Sequence, residues 1–542
     1  MAPAPRDPIT ELRAAIADAC AELHPGIGEM TLERPPRPGL GDYSTNAAML
    51  AAPLLGSAPR EIAANLVATI GERLGDAVDR IEVAGPGFLN LHMSDGWMRA
   101  AVAHMLGAGD RFGADVLDSF KSVLVEFVSA NPTGPLTVAS GRHAAYGDSL
   151  ARLLAFAGHR VRREYYINDA GGQIDLFGAS IAARIAGTGV PEGGYEGEYL
   201  VELAERIAAA GSDPSDLDGL ARRGVELMLE SIAATLERVR IHFDRWSSER
   251  ELHEAGAIDS ALAALRARGL VYESEGATWL RTSEFGDDKD RVLVRANGSS
   301  TYFASDIAYH RDKLGRGADL MIDVLGADHH GYVARMRAAL AALGAPADAF
   351  EASMMQLVNL VEGGERSRMS KRRGEFATLD ELVDDIGVDA TRFFLLQRSH
   401  DTPIDIDLEL ARQQSSDNPV YYVQYAHARI CSLFRAAGGG GGATAEADGE
   451  PTARLEPAER ALIARLLEMP AQVRRSSSRR EPHGLATYLR DVAADFHAFY
   501  RDCRVVGAGP GLESARLELC AATRSVIATS LDLLGIEAPE EM

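Results

Sequence analysis

The chain has 542 residues, with 56 basic and 79 acidic side chains and a formal net charge of −23. Hydrophobic residues make up 46% of the chain, which excludes a disordered protein, and the length predicts about three or four domains. Four widely separated cysteines exclude a disulfide scaffold and predict a reducing, cytoplasmic compartment, and no apolar run is long enough to suggest a membrane partner.

A small α+β domain is predicted for residues 1–112. Apolar residues recur at helical spacing near Leu12 and Ile16, and a second helical pattern covers residues 59–74. Residues 81–93 then alternate between apolar and polar types around a Gly-Pro-Gly turn, which predicts two strands and a turn.

A Rossmann-like, doubly wound α/β domain is predicted for residues 113–400. The apolar run at 123–128 indicates a strand that is covered on both faces, and a Pro/Gly turn and a helix over 140–158 follow it. A helical insertion over about 199–268 separates this half from a second one. There, a hairpin turned at Asn297-Gly298 and a strand in 321–330 are predicted.

Residues 401–542 are predicted to form a helical bundle, interrupted by a Gly-rich linker at 438–450. The basic run at 474–480 permits a basic, RNA-binding face, but a solvated loop between helices is the favoured interpretation. The predicted fold class is therefore multidomain α/β plus all-α.

The turn and helix at 131–148 form the first candidate site. A helix N-terminus beside the carboxyl end of a central strand attracts phosphate, and the small residues Gly134, Ala139 and Ser140 would let a nucleotide approach the backbone. An ordinary strand–helix turn explains the same composition equally well.

Two carboxylates are further candidates. Glu126 lies in an otherwise apolar strand, where it needs a cationic partner from the protein or from a substrate, and a structural ion pair is favoured from composition alone. Asp306 follows Tyr302 and could form with it a site for a cationic ligand, although a helix N-cap is the favoured role for Asp306.

The loop at 366–374 carries four arginines and one lysine within residues 366–373, which could stabilise a polyphosphate or form a solvated basic loop. The sequence has no GxxxxGK[ST] loop. The Asp-His-His run at 328–330 does not have the spacing of a metal site, and no metal site is predicted.

Taken in order, several segments resemble the arginyl-tRNA synthetase family of class I aminoacyl-tRNA synthetases. The resemblance covers nearly the whole chain and rests on SANPTGPL, EYYINDAGGQI, TYFASDIAYHRDK, GADHHGYVARM, MSKRRGEFATLDELVDDIGVDATRFFLL and NPVYYVQYAHARI. It implies a ligase that activates L-arginine with ATP and transfers it to the 3′-terminal adenosine of tRNA(Arg).

The resemblance also implies roles for individual residues. Thr137–Ser140 and Met369-Ser370-Lys371 occupy the positions of the two class I signatures, "HIGH" and "KMSKS". By position, the implied catalytic residues are Lys371, Ser370, Thr137 and Ser140; the implied ATP-binding residues are Pro132, Gly134, Thr137, Ala139, Ser140, Met369 and Lys371; and the implied arginine-binding residues are Glu126, Ser129, Asn131, Tyr302 and Asp306.

The family further implies ATP with Mg²⁺ as a substrate complex, no tightly bound cofactor, and a monomer. The N-terminal domain would contact the tRNA elbow, and the C-terminal region would bind the anticodon.

The first signature departs from the family pattern, because Thr137-Val138-Ala139-Ser140 replaces His-x-Gly-His. Losing a charge-assisted hydrogen bond costs about 1–3 kcal/mol, or roughly 5- to 200-fold in rate. His143, one helical turn later, or Arg142 could supply the missing donor or charge. A catalytically impaired, tRNA-binding descendant of a synthetase is the alternative function. An adenylate-forming relative without an anticodon domain is disfavoured by the C-terminal region.

Overall fold

The computed structural model describes residues 7–35, 37, 39–366, 377–438 and 454–542. Met369, Ser370 and Lys371 lie outside the described residues, as does nearly all of the Gly-rich segment. None of the described helices is long and apolar enough to cross a bilayer.

The N-terminal unit is a four-stranded antiparallel sheet covered by helices. Asp7 begins the first helix, where its side chain accepts hydrogen bonds from the amides of Ile9 and Thr10, and Leu12 and Ile16 are buried on the inner face. The sheet has the order β1-β2-β4-β3. Its elements are α1 (Pro8–Leu23), β1 (Leu32–Glu33), β2 (Tyr43–Thr45), α2 (Ala47–Leu55), α3 (Pro59–Leu74), β3 (Val78–Ala84), β4 (Phe88–Met93) and α4 (Asp95–Ala108).

A five-stranded parallel sheet forms the centre of the molecule. Its strands are β5 (Ser122–Glu126), β6 (Arg160–Ile167), β7 (Arg245–Ser248), β11 (Leu320–Gly326) and β12 (Phe350–Met355), in the order β12-β11-β5-β6-β7. The apolar residues of β5 are fully buried, as its sequence predicts. The chain proceeds from β5 towards β6 on one side and reaches β11 on the other. The carboxyl ends of β5 and β11 therefore form the switch point where such sheets bind ligands.

Helices cover both faces of this sheet. Helix α5 (Val138–Ala157) follows β5 directly and ends at Gly158, whose φ of 118° is left-handed. The other helices of this part of the chain are α6 (Gly172–Ile185), α7 (Glu198–Ala209), α8 (Leu217–Arg238), α9 (Glu249–Glu254), α10 (Ala257–Ala267), α11 (Tyr302–Gly315), α12 (His330–Leu343), α13 (Leu379–Ile386), α14 (Val388–Leu396) and α15 (Leu408–Arg412).

The insertion is less helical than predicted. Helices α6, α7 and α8 share a hydrophobic cluster of their own, but the chain then returns to the main sheet as β7. This edge strand has the sequence RWSS, which lacks the apolar run of a central strand and was therefore missed.

The predicted hairpin at 291–305 is only partly correct. The turn at Asn297-Gly298 is present, and Gly298 has a φ of 82°. The second strand of the hairpin is reduced to a single β-bridge between Ser300 and Val294. It is this short because Thr301 caps the next helix, α11, by accepting a hydrogen bond from the amide of Ala304. The strand before the turn pairs instead within a sheet of β8 (Val271–Ser274), β9 (Ala277–Leu280) and β10 (Arg291–Val294).

A third small sheet contains β13 (Val358–Glu362), β14 (Glu365–Arg366) and β15 (Ile404–Asp407). Strand β15 pairs in parallel with β13, so a strand interrupts the predicted all-helical region after residue 379. The domain boundary at 400/401 stays a prediction.

The C-terminal bundle consists of α16 (Pro419–Ala436), α17 (Pro457–Leu466), α18 (Met469–Arg479), α19 (His483–Asp502) and α20 (Pro510–Leu533). The basic run at 474–480 is helical up to Arg479 and buries Ser476 and Ser477, so the favoured interpretation as a loop is wrong. The two serines are small enough to let this helix pack closely on its neighbours, whereas the polar composition of the segment alone suggested exposure to solvent.

A buried arginine connects this bundle to the central sheet. The Arg392 guanidinium, on α14, donates hydrogen bonds to the carbonyls of Leu534 (2.8 Å) and Val239 (2.8 Å) and to Asp148 Oδ2 on α5 (2.6 Å). Both charged side chains are about 1% exposed. The contact therefore joins the C-terminal end of α20 to the helix that follows the central strand.

Candidate active site

The carboxyl ends of β5 and β11 open into a cavity of about 530 Å³. Its walls include all five residues expected to bind arginine, which are Glu126, Ser129, Asn131, Tyr302 and Asp306, and also His143. Two stretches of chain that are about 180 residues apart therefore meet at the switch point of the sheet.

A strained turn places Ser129 beside Glu126. Val128 has a φ of 67° and Ser129 a φ of 42°, a left-handed conformation that non-glycine residues rarely adopt. The Ser129 hydroxyl donates to Glu126 Oε1 (3.0 Å) and accepts from the amide of Tyr166 (3.1 Å) on β6. The turn thus directs Glu126 and Ser129 into the same cavity.

Glu126 has the structural ion pair that its sequence context favoured. Its carboxylate contacts the ammonium of Lys313, on α11, whose Nζ also lies 3.0 Å from Asp323 Oδ1. Burial alone would lower the pKa of Lys313, but Asp323 and Glu126 raise it above its ordinary value. Burial raises the pKa of Glu126, and the charge on Lys313 opposes that rise.

Asp306 does not have the predicted capping role, because Thr301 caps α11 and Asp306 lies inside the helix. Its half-buried carboxyl faces the cavity. Desolvation raises the pKa of Asp306 to about 7; His310 opposes the rise, and the nearby carboxylates Glu126 and Glu249 add to it. In the protein without a bound cation, Asp306 therefore titrates near neutral pH.

Aromatic and amide side chains complete the cavity. Tyr302 stands at its mouth and is 63% exposed. Asn131 donates to Gln173 Oε1 (2.8 Å) and accepts from Asn168 Nδ2 (3.0 Å), which holds its amide in one orientation. Sequence reasoning did not identify several wall residues, namely Tyr166, Gln173, Glu249 and Tyr332. It also did not identify Lys313, which is fully buried behind Glu126 and does not line the cavity. Most of these residues lie within or beside the family-like segments, which were their only signal.

The predicted nucleotide segment lies at the N-terminus of α5. Thr137 caps the helix by accepting from the amide of Ser140 (3.2 Å), and the two hydroxyls are 3.2 Å apart. Ala139 is exposed there, whereas Pro132 is buried; an added Cβ at Gly134 would lie 3.6 Å from the ring of Tyr199. None of these residues lines the cavity itself.

Residues 377–379 pack against this helix N-terminus. The amide of Val138 donates to the carbonyl of Ala377 (3.1 Å), the amide of Leu379 donates to the carbonyl of Leu136 (2.8 Å), and Thr137 pairs with Thr378. Ala377 is the first described residue after 367–376.

Family models match three consecutive parts of the chain. Residues 10–93 match the arginyl tRNA synthetase N terminal domain. Residues 102–187 and 213–414 match the catalytic domain of class I (R) tRNA synthetases, and residues 423–542 match the DALR anticodon binding domain.

Curated relatives match almost the full length. An arginine–tRNA ligase of Carboxydothermus hydrogenoformans is 45% identical over 544 residues, covering 98% of this chain and 96% of the relative. One of Frankia alni is 47% identical over 525 residues, covering 95% of each. The chain belongs to the arginyl-tRNA synthetase family.

Solved structures agree with this synthetase fold. A putative arginyl-tRNA synthetase from Campylobacter jejuni superposes with a TM-score of 0.76 at 36% identity, covering 83% of this chain and all of that one. The arginyl-tRNA synthetase of Thermus thermophilus gives 0.78 at 27% identity, covering 98% of this chain and all of that one. The predicted fold class, family and enzyme class, a class I arginine–tRNA ligase that activates its amino acid with ATP, are confirmed.

The altered signature of this synthetase was expected to be compensated by Arg142 or His143, and the expectation for Arg142 is wrong. Arg142 is buried and donates to the carbonyls of Gln356 (2.7 Å), Ser399 (2.8 Å) and Thr402 (2.8 Å), so it holds α5 to the neighbouring segments rather than facing a ligand. His143 does line the cavity. Burial, with Arg142 nearby, lowers the pKa of His143 to about 4, so it presents a neutral imidazole.

Proposed function

We propose that the cavity at the carboxyl end of β5 binds the arginine substrate and recognises it by its guanidinium. The observation that carries the proposal is the meeting of Asp306, Glu126 and Tyr302 around one cavity. A guanidinium has five donors in one plane, and two carboxylates with a phenol can accept several of them at once. A lysine ammonium would leave part of this set unpaired.

The charge balance of the cavity supports this choice. Lys313 is shared between Glu126 and Asp323, so these three groups together carry about one negative charge. Asp306 and Glu249 have no such lysine partner among the described residues, although His253 Nε2 lies 3.7 Å from Glu249 Oε1. Both carboxyls add to the negative potential when they are ionised. A cationic side chain would offset the desolvation that raises the pKa of Asp306. Ser129 and Asn131 remain to bind the backbone end of the amino acid.

ATP would bind across the N-terminus of α5. The capped helix end directs free amides and its positive dipole towards a phosphate, and Thr137 and Ser140 add neutral hydroxyl donors. Pro132 and Gly134 shape the preceding turn, and exposed Ala139 leaves room for the nucleotide. Mg²⁺ would accompany ATP as part of the substrate.

Lys371 of the second signature would act on the triphosphate of the same ATP. Thr378 forms a β-bridge with Thr137, and the carbonyl of Ala377 accepts from the amide of Val138. These contacts support that role, because Met369, Ser370 and Lys371 precede Ala377 by only six to eight residues along the chain. A lysine there would neutralise the triphosphate as pyrophosphate leaves.

The reaction then proceeds in two displacements. The arginine carboxylate attacks the α-phosphorus of ATP in line, which forms arginyl-adenylate and releases pyrophosphate. The 2′-hydroxyl of the terminal adenosine attacks the adenylate carbonyl, which releases AMP. No protein nucleophile is required, so positioning and electrostatic stabilisation supply the rate enhancement.

His143 would compensate for the lost signature histidines as a neutral N–H donor to a phosphate oxygen. We expect His143→Ala to slow adenylate formation roughly tenfold with little loss of stability. His143→Gln, which keeps an N–H donor, should recover part of the rate. An unchanged rate in the alanine variant would refute this role.

The enzyme would act as a cytoplasmic monomer on tRNA(Arg). All four cysteines are buried free thiols, which suits a reducing compartment. The cavity and the N-terminus of α5 are built from one chain, so the site needs no second copy. The N-terminal domain would contact the tRNA elbow and the C-terminal bundle the anticodon.

Arginine-dependent exchange of pyrophosphate into ATP, measured with and without tRNA(Arg), tests the proposal. Exchange in at least one condition is the expected result. The altered signature favours a second candidate, a synthetase descendant that binds tRNA without catalysis. Binding of tRNA with no exchange in either condition would establish that candidate instead.

A further inference from the structure

A second hollow lies beside the proposed arginine site. It has a volume of about 290 Å³ and is lined by Arg291, Val292, Arg295, Thr301, Tyr302, Phe303 and Arg335. Tyr302 also lines the main cavity, so one exposed phenol separates an acidic cavity from an arginine-lined one. The reversal of charge across a single side chain, in a chain of net charge −23, indicates a different ligand on each side.

Within the described residues, a carboxylate neutralises only one of the three arginines. Arg291 Nε lies 2.8 Å from Asp287 Oδ2. Arg295 and Arg335 form no ion pair with any carboxylate in the described ranges. Arg295 is held across its turn by a hydrogen bond from Nη1 to the carbonyl of Ser300 (3.0 Å).

Arg335, on α12, has a further unsatisfied group. Its guanidinium carbon lies 5.8 Å from the centre of the Phe303 ring, and its Nε is buried with no hydrogen-bond partner in the described part of the chain. A bound acceptor would satisfy this buried donor. Two uncompensated guanidinium groups facing one hollow are suited to a phosphodiester.

We propose that this hollow binds a backbone phosphate of the single-stranded 3′ end of tRNA, next to the terminal adenosine. The inference rests on the proposed position of the arginine site. When the terminal ribose reaches the adenylate in the main cavity, the preceding phosphates must lie just outside its mouth. Tyr302 stands there with its ring exposed, and it can stack on a base while Arg295 and Arg335 bind the backbone.

The double variant Arg295→Gln/Arg335→Gln tests the proposal when it is assayed with two RNAs. One is tRNA(Arg) of full length, and the other lacks its last four 3′ nucleotides. The variant should bind full-length tRNA roughly tenfold or more weakly than the wild type but bind the truncated tRNA equally well. The slope of log affinity against log salt should fall by about 1 for the full-length RNA only.

Arg337→Gln is the matched control, since Arg337 is an exposed arginine on the same helix that does not line the hollow. It should leave both affinities unchanged. Equal loss for both RNAs, no loss for either, or a raised KM for ATP at saturating tRNA would each overturn the proposal. Arginine affinity of the wild type, measured without RNA, separates these results from failure of the proposed amino-acid site.

Discussion

Arginine affinity should depend on pH through Asp306. The carboxyl must be ionised to pair with a guanidinium, yet the cavity raises its pKa to about 7 in the free protein. Raising the pH from 6 to 8 should therefore convert a mostly protonated Asp306 into a mostly ionised one and strengthen binding. Glu126 and Glu249 also have raised pKa values, so their titration would act in the same direction.

The size of this change in affinity follows from the fraction of the protein in which Asp306 is ionised. With a pKa near 7, about a tenth of the protein has an ionised Asp306 at pH 6 and about nine tenths at pH 8, so the dissociation constant should fall roughly tenfold. Binding at pH 7 should release about half a proton. Asp306→Asn removes a charge-assisted contact worth about 1.5–3 kcal/mol, or roughly 10- to 200-fold in affinity.

Isothermal titration of arginine at pH 6, 7 and 8, in two buffers of different ionisation enthalpy, measures both quantities. The wild type should show the tenfold change and the released proton, and Asp306→Asn should lose most of both. A wild-type affinity that does not change with pH, or an equal change in the variant, would refute the assignment of Asp306.

Two stability predictions follow from buried contacts. Arg392→Met removes the guanidinium hydrogen bonds that join α14 to α5, to the end of α8 and to the end of α20. It should lower the free energy of unfolding by about 3–5 kcal/mol in urea denaturation. Exposed Arg490→Met is the control, and equal midpoints would contradict the prediction. Gly147→Ala places a Cβ 2.2 Å from Cγ of Phe127 and should lower the free energy of unfolding by about 1–3 kcal/mol. Gly71→Ala is the matched control: its Cβ would meet nothing within 4 Å, and it should stabilise α3 by about 0.5–1 kcal/mol. A stabilised Gly147→Ala variant would show that α5 does not pack so closely on Phe127, the residue directly after β5.

The centre of the fold could be predicted from local sequence because its signals are strong. The apolar run of β5 can hardly be anything but a buried strand, and a Pro/Gly turn with a capping threonine leads into α5. The edge strand β7 could not be predicted in the same way. Its four residues are mostly polar, and only the neighbouring strand β6 makes them extended.

The site depends on contacts that no local pattern contains. Glu126 and its partner Lys313 are 187 residues apart, and nothing in either segment indicates the other. The predicted N-cap at Asp306 failed for a related reason, since Thr301 satisfies the helix end first. Local residues therefore identified candidate groups, but resemblance to a family was needed to bring them into one site.

The preference for arginine tests the acidic cavity most directly. Pyrophosphate exchange should be measured with arginine, with lysine, and with citrulline, which keeps the shape of arginine without its charge. Unpaired carboxylates and a misplaced charge should reduce kcat/KM for both analogues roughly 10⁴-fold relative to arginine. Exchange with lysine or citrulline within tenfold of that with arginine would contradict the recognition of a guanidinium by Glu126, Tyr302 and Asp306.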